Sequence, residues 1–294
     1  MMFVSIVLNI AHEEVVQILQ NIPGMTWTPQ LYENQANYRT KQQKNQVLFT
    51  KQDSTQNYRS TPFKNHPDSL DWVKLNPECM DHVVNRGNCD SQQISCTNTF
   101  SDIRCLEKKD PIRIEYSPQY LINCGLDQNC GACNDSCSIT YFLAAITTYG
   151  TVPESCISYT SGLTGKKGKC KTTCDDGSQL PPLAKIYGNQ NICDANNQYM
   201  EYDLMEALQN GPVQAQFYMY EDLQYYSSGI YQHTYGDVVS LVASEIVGYG
   251  EENGVKFWKL KSVWGREWGE NGYYRVIRGG DNAVYTECFI ILLK

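Results

Sequence analysis

Apolar and polar positions change rhythm twice along these 294 residues. Near the start, Val15, Val16, Ile18, Leu19 and Ile22 lie on one stripe of a short helix, which Pro23-Gly24 ends. Residues 29–62 are polar, rich in Gln, Asn, Thr and Tyr, and read as an extended segment or a disordered linker. Residues 73–175 carry a helical rhythm: Ile94, Phe100 and Ile103 give one apolar face to a helix from about Ser91 to Leu106. Ile139, Phe142, Leu143 and Ile146 mark a second helix, expected to begin near Asn134-Asp135 and to stop at Gly150. Beyond residue 180 the rhythm turns strand-like. Leu204, Met205 and Leu208 mark a short helix that ends at Asn210-Gly211-Pro212. Then come candidate strands at Val213–Met219, Leu241–Val247, Val255–Lys261 and Tyr273–Ile277, with Phe289–Leu293 closing the sheet. The pattern predicts an α+β protein with a helical half and a β-rich half, and no internal repeat.

Composition narrows this. A chain of this length can bury a large core in one domain or two closely packed ones. The formal charge of −8 argues against nucleic acid or an anionic membrane as main partner. No apolar run is long enough to span a bilayer. Met1–Ala11 is apolar but short and has no basic residue before it; a short signal and an ordinary buried segment are both open. Thirteen cysteines, most of them from Cys89 to Cys174, suggest disulfides and an oxidising compartment. Zinc is the competing reading, since Cys130-x-x-Cys133 and Cys170-x-x-x-Cys174 have metal-like spacing. Asn134-Asp135-Ser136 is a glycosylation sequon.

The candidate chemistry lies in Arg86-Gly87-Asn88-Cys89-Asp90-Ser91-Gln92-Gln93, a tight loop that feeds the helix start, with Gly87 at the turn and Ser91 as the expected N-cap. A helix N-terminus gathers unpaired N–H groups and partial positive charge, so it suits a thiolate or an oxyanion. The loop resembles the Gln-Gly-x-Cys-Gly-Ser-Cys-Trp signature of papain-family cysteine proteases. In that register Gln92 stands at the nucleophile, Gln93 at the following Trp and Arg86 at the oxyanion-hole Gln. Gly229-Ile230-Tyr231-Gln232-His233 through Gly248-Tyr249-Gly250 resembles the cathepsin B segment with the catalytic histidine, whose position falls on Val242. Trp264-Gly265-Arg266-Glu267-Trp268-Gly269 resembles the family's Asn-Ser-Trp-Gly…Trp-Gly run, with Ser262 at the catalytic Asn and the aromatics Trp264 and Trp268 retained.

The resemblance covers about residues 66–290 and implies a papain-like two-lobed fold: a helical disulfide-rich lobe at about 73–175 and an antiparallel β-barrel-like lobe at about 180–294. Residues 1–65 would be a prosegment of the short cathepsin B type, and Pro67-Asp68-Ser69-Leu70-Asp71-Trp72 resembles the start of the mature enzyme. That segment carries net +2 against −10 for the remainder, which favours docking slightly. By resemblance the pairs are Cys79–Cys105, Cys89–Cys133, Cys124–Cys170 and Cys156–Cys174, with Cys130–Cys137 and Cys193–Cys288 as weaker matches and Cys96 left over. Between Cys156 and Cys170 the chain carries no histidine-bearing occluding loop, so exopeptidase behaviour is not implied.

Amide hydrolysis in this family needs a thiolate, a histidine partner and a group that orients it. A carboxamide at position 92 is not nucleophilic, and an aliphatic group at 242 moves no proton. The expectation from these residues is therefore a non-enzyme: a papain-like pseudoprotease that binds a protein partner or serves as a structural subunit in the secretory pathway, a lysosome-like vesicle or outside the cell. Its own prosegment would lie in the cleft, with no cofactor, no metal, no nucleic acid and no membrane span. The alternatives are an active cysteine-type endopeptidase with displaced catalytic residues and a zinc-stabilised interaction module.

Overall fold

The computed structural model describes residues 12–33, 65–125, 133, 138–193, 200–279 and 285–293. The fold is α+β, with a helical half and a sheet half, as the two rhythms of the sequence predict. Helix α1 (His12–Gln20) buries Val15, Val16 and Leu19, while Ile18 stays at the surface. Strand β1 (Trp27–Pro29) follows, then the short β2 (Leu70–Asp71) and two single-turn helices, α2 (Trp72–Leu75) and α3 (Pro77–Met80). The Asp71 carboxylate accepts the N–H groups of Val73 and Lys74, which starts α2.

The long helix α4 (Ser91–Leu106) is the axis of the molecule. All its residues except Arg104 and Leu106 are buried, although many are polar. Their hydrogen bonds are made inside the protein. Thr97 and Ser101 donate to the carbonyls of Gln93 and Thr97, at 3.0 and 2.8 Å. Thr99 donates to the Gln214 carboxamide oxygen at 2.7 Å, and Ser95 lies 3.2 Å from it. The remaining helices of this lobe are α5 (Pro118–Cys124), α6 (Ile139–Thr148) and α7 (Ser161–Thr164). Helix α6 starts later than the sequence pattern suggests. Its N-cap is Ser138, whose hydroxyl accepts the N–H of Thr140. Phe100, Phe142, Leu143 and Ile146 form the core between α4 and α6.

The other lobe is built on a sheet. Strand β3 (Gly188–Asn191) and helix α8 (Met200–Leu208) precede β4 (Val213–Tyr220), β5 (Tyr226–Tyr231) and the 15-residue β6 (Val238–Glu252). Strands β7 (Val255–Lys261), β8 (Tyr273–Ile277) and β9 (Tyr285–Leu292) complete it. The strand order is β1-β5-β8-β7-β6-β4-β9-β3, with β2 paired to β6. The pairing is antiparallel except between β5 and β8, which run parallel. That parallel pair departs from the wholly antiparallel barrel implied by the resemblance.

Residues 12–33 contribute one strand to this sheet and pack their apolar side chains on it. Strand β1 pairs with β5, and the Trp27 indole donates to the carbonyl of Gln232 at 3.0 Å. The Tyr32 hydroxyl donates to the Tyr226 carbonyl at 2.7 Å and accepts the Gly269 N–H at 2.9 Å. Trp27 packs against the rings of Tyr226 and Tyr231, and Tyr226 in turn meets Trp268 and Tyr274.

The lobes are joined by charge as well as by apolar contact. Lys261 of β7 lies between Asp102 of α4 and Glu245 of β6, its amine 3.0 Å from the Glu245 carboxylate. The side chains of Lys261 and Asp102 are fully buried. Arg113 donates to the other Asp102 oxygen at 2.6 Å and to the Asn98 side chain at 2.7 Å. Two carboxyl groups thus face two basic side chains in a buried layer, an arrangement that is costly to break by removing one member.

Five disulfides lie among the described residues: Cys79–Cys105, Cys89–Cys133, Cys124–Cys170, Cys156–Cys174 and Cys193–Cys288. Cys96 is free and buried. The proposed Cys130–Cys137 pair and the Asn134 sequon lie outside the described residues. Because Cys133, Cys170 and Cys174 are each in a disulfide, they cannot serve as the zinc ligands that their spacing suggested. Among the described residues no group of His, Cys, Asp and Glu could hold a metal ion, and no helix is long and apolar enough to cross a membrane.

Candidate active site

The loop ahead of α4 is held from three sides. Gly87 has φ +57°, and a Cβ there would stand 2.3 Å from the carbonyl oxygen of Gly162, so no other residue fits. The neighbouring Asn88 N–H donates to that same carbonyl at 2.7 Å. Cys89 is tied to Cys133, and the Arg86 N–H donates to the Val263 carbonyl at 2.8 Å. Asn85 and Trp264 form a β-bridge beside it. This places Arg86 against the segment that carries Ser262 and Trp264. The buried guanidinium lies 5.9 Å from the Trp264 ring and donates to the Cys89 carbonyl. Burial lowers its pKa, which Asp90 partly offsets.

The N-cap of α4 is Asp90, not Ser91, and its side chain makes no capping hydrogen bond. Ser91 is instead the first residue of the helix. Its hydroxyl oxygen accepts the backbone N–H of Ala243 at 2.9 Å, which ties the helix start to β6 next to Val242. Val242 is buried within β6 and stands opposite Phe217 of β4. The structure therefore brings the start of α4 and the middle of β6 together. Ser262 is buried one residue past β7; its hydroxyl accepts the Trp264 N–H at 3.3 Å, and its own N–H donates to Gly272 at 2.9 Å. Trp264 and Trp268 meet edge to face, with ring centres 4.5 Å apart. The Trp268 indole donates to the Gln224 carbonyl at 3.2 Å.

Gln92 and Gln93 are 4% and 2% exposed. The Gln92 carboxamide oxygen and the Gln93 carboxamide nitrogen are enclosed and have no hydrogen-bond partner. An enclosed polar atom left unpaired costs about 1–3 kcal/mol. Against the paired hydroxyls of Thr97, Thr99 and Ser101 further along α4, these two stand out.

The histidines are engaged elsewhere. His12 meets the Tyr225 hydroxyl, and His66 lies 3.6 Å from Glu206. His82 lies 3.9 Å from Glu115, with a pKa lowered mainly by burial. His233 lies 3.2 Å from the buried Asp222 and stacks on Tyr220 at 3.7 Å. Cys96, one turn along α4 from Gln92, has its thiol pKa raised by burial. A cavity of about 240 Å³ opens elsewhere, lined by Ile94, Thr97, Asn98, Arg113 and Glu154; it does not include Gln92.

Sequence reasoning missed Ser91 as the tie to β6 and the Asp102–Lys261–Glu245 layer. One signal for the latter was present: Glu245 is the single charge inside the apolar run Leu241–Val247.

A helix start buried between a helical lobe and a twisted sheet, with a cysteine-pinned loop in front of it, defines the papain class of fold. The family model for "Papain family cysteine protease" matches residues 66–291, and the chain belongs to that family. It is similar to Cathepsin B-like CP3 of Giardia intestinalis, 39% identical over 243 residues, covering 79% of this chain and 76% of that protein. Cathepsin B-like CP2 of the same organism is 40% identical over 231 residues, covering 75% and 72%. Among solved structures, proCathepsin B S9 from Trypanosoma congolense shares the fold with a TM-score of 0.79 at 23% identity, over 97% of this chain and 99% of that one. Digestive procathepsin L 3 of Tenebrio molitor shares it with a TM-score of 0.68 at 22% identity, over 95% and 86%.

These relatives correct one expectation. The replacements at positions 92 and 242 led to a non-enzyme, but relatives at 39 and 40% identity carry cathepsin B-like protease names, and the family is one of cysteine proteases. The comparison points to an enzyme.

Proposed function

We propose that the chain is a cathepsin B-like cysteine endopeptidase that acts on polypeptides through catalytic groups displaced from the family positions. The observation that carries this is membership of the family, with cathepsin B-like relatives matched over three quarters of the chain. In this reading Arg86, Gln92, Val242 and Ser262 occupy the family's catalytic positions without performing its acid–base chemistry. A carboxamide does not attack a carbonyl, so bond cleavage must start elsewhere. Cys96 is the free thiol among the described residues, one helical turn from Gln92. Burial raises its pKa and keeps it protonated in this conformation.

Residues 1–65 act in this reading as a prosegment, supported by the way residues 12–33 join the sheet through β1, Trp27 and Tyr32. The disulfides fit a secreted or vesicular location.

The test is turnover of fluorogenic peptides by the purified chain, with and without a thiol-reactive inhibitor, repeated on Cys96→Ser. Inhibitor-sensitive turnover supports the proposal, and its loss in Cys96→Ser identifies the thiol. Absence of turnover overturns it.

A further inference from the structure

We propose that the cavity on the far side of α4 from Gln92 binds a small organic ammonium ion that also carries a neutral oxygen acceptor, as an amino alcohol or an amino-acid amide does. This site lies outside the proteolytic reading above and does not rest on it.

The helix itself separates the two places. Ile94, Thr97, Asn98 and Ser101 follow the spacing of one helix face, and all four line the cavity. Ser95 and Thr99 lie on the other side, where both meet Gln214 of β4. The cavity therefore belongs to the helical lobe. Two short extended stretches supply its acidic wall. Tyr116 and Pro153 form an antiparallel bridge, and the Glu154 N–H donates to the Glu115 carbonyl at 2.7 Å. That register sets Glu115 and Glu154 directly opposite each other, and both line the cavity.

Like charges placed directly opposite on paired strands repel. The surroundings answer them only in part. One Glu115 oxygen lies 3.4 Å from an Arg113 nitrogen and 3.9 Å from His82. One Glu154 oxygen accepts the Tyr159 N–H at 3.3 Å. The second oxygen of each carboxylate has no partner among the described residues. Arg113 cannot neutralise both, because its guanidinium also donates to Asp102 at 2.6 Å and to Asn98 at 2.7 Å. Burial, and then repulsion by Glu115, raise the Glu154 pKa.

The helix side of the cavity adds an independent feature. Asn98 is 5% exposed, and its carboxamide oxygen accepts from Arg113. That bond fixes the other end of the carboxamide as the donor. Among the described residues this nitrogen has no acceptor, and Asn98 lines the cavity. A buried donor without an acceptor thus shares one space with two carboxylates that lack a cation. Val84 and Ile94 add apolar surface.

This combination selects the guest. An anion is repelled by both carboxylates. A neutral molecule leaves their repulsion in place. A metal ion finds no third acidic, histidine or cysteine ligand among the described residues. A primary ammonium has three donors and forms charge-assisted hydrogen bonds to Glu115 and Glu154. An oxygen on the same molecule accepts from Asn98. The volume of about 240 Å³ limits the guest to a small molecule.

The experiment titrates the full chain by calorimetry with L-leucinamide and, separately, with L-leucinol, at one ionic strength so that screening is equal for every probe. Isoamylamine keeps the ammonium and lacks the oxygen; isocaproamide keeps the oxygen and lacks the ammonium. We expect leucinamide or leucinol to bind with one-to-one stoichiometry, and both control compounds to bind more weakly. The tighter of the two assigns the guest to amino-acid amides or to amino alcohols, and either result supports the proposal. Glu154→Gln keeps an oxygen for the Tyr159 N–H and should weaken the tighter probe about tenfold. Without ligand it should melt at or above the parent chain, because it removes one of two repelling charges. A merely structural Glu154 would instead lower the melting temperature and leave binding unchanged. Glu115→Gln, at a half-exposed position, is the second variant and should weaken binding in the same way. Failure of both leucinamide and leucinol to bind, equal binding of either control compound, or unchanged binding in the two variants each overturns the proposal.

Discussion

The hydroxyl oxygen of Ser91 accepts the backbone N–H of Ala243 at 2.9 Å, and both residues are buried. This bond fastens the helix start of one lobe to the strand of the other that carries Val242. Removing it leaves the Ala243 N–H enclosed without a partner. Ser91→Ala is therefore expected to destabilise the chain by about 1–3 kcal/mol, read from the urea denaturation midpoint.

The register of the site makes its own prediction. If Gln92 and Val242 stand at the nucleophile and histidine positions, Gln92→Cys alone adds no turnover, because the new thiol has no base beside it. Gln92→Cys combined with Val242→His supplies both groups. That double variant should show inhibitor-sensitive peptide cleavage above the level of the parent chain. Added turnover in the single variant would contradict the placement of Val242.

Glu245 carries the pH dependence. Its pKa is raised to about 8 by burial and by neighbouring Asp102, against the pull of Lys261. An acid whose folded pKa lies above its unfolded value costs nothing when protonated in both states, and its penalty grows as pH rises toward the folded value. This group therefore makes the chain less stable as pH rises from the ordinary carboxylate range toward about 8. Glu245→Gln should flatten the melting temperature over pH 5–8 and match or exceed the parent chain at the upper end. A steeper profile in the variant would reverse the sign.

Trp27 anchors the N-terminal residues by its indole bond to Gln232 and by contact with the Tyr231 ring at 5.3 Å. Trp27→Ala removes a 4%-exposed aromatic from the seam between β1 and β5. Limited proteolysis with an added protease should then release the segment before residue 66 several-fold faster, while the body of the chain stays resistant.

The Cys193–Cys288 disulfide joins positions 95 residues apart, linking the end of β3 to β9. Replacing both cysteines with Ala should cost about 2–4 kcal/mol, measured by denaturation under non-reducing conditions.

Much of the scaffold was legible in the apolar rhythm. The pattern from Ser91 to Leu106 gave the bounds of α4, and β7 and β8 fell at Val255–Lys261 and Tyr273–Ile277. Those segments combine a clear period with flanking turn residues. Strand β5 was not legible, because Tyr226–Tyr231 mixes Tyr, Ser and Gly and owes its strand form to pairing with β1 and β8. Strand β6 ran past its expected ends for a similar reason: Val238–Ser240 and Gly248–Glu252 extend only because β4, β2 and β7 lie alongside. At the site, local sequence suggested Ser91 as N-cap, a residue type that fits that role. Its real partner, Ala243, is 152 residues away, and no local rule reaches so far. The residues at 92 and 242 were read directly, yet residue identity alone pointed to a non-enzyme, where similarity over residues 66–291 placed the protein in a family of proteases.

The ion layer has a mechanical consequence. Asp102 belongs to α4 and Lys261 and Glu245 to the sheet, so any gaping of the molecule along its seam would strip a submerged ammonium group of one counter-charge. The seam therefore behaves as a rivet and not as a hinge. Both halves should melt in one cooperative step.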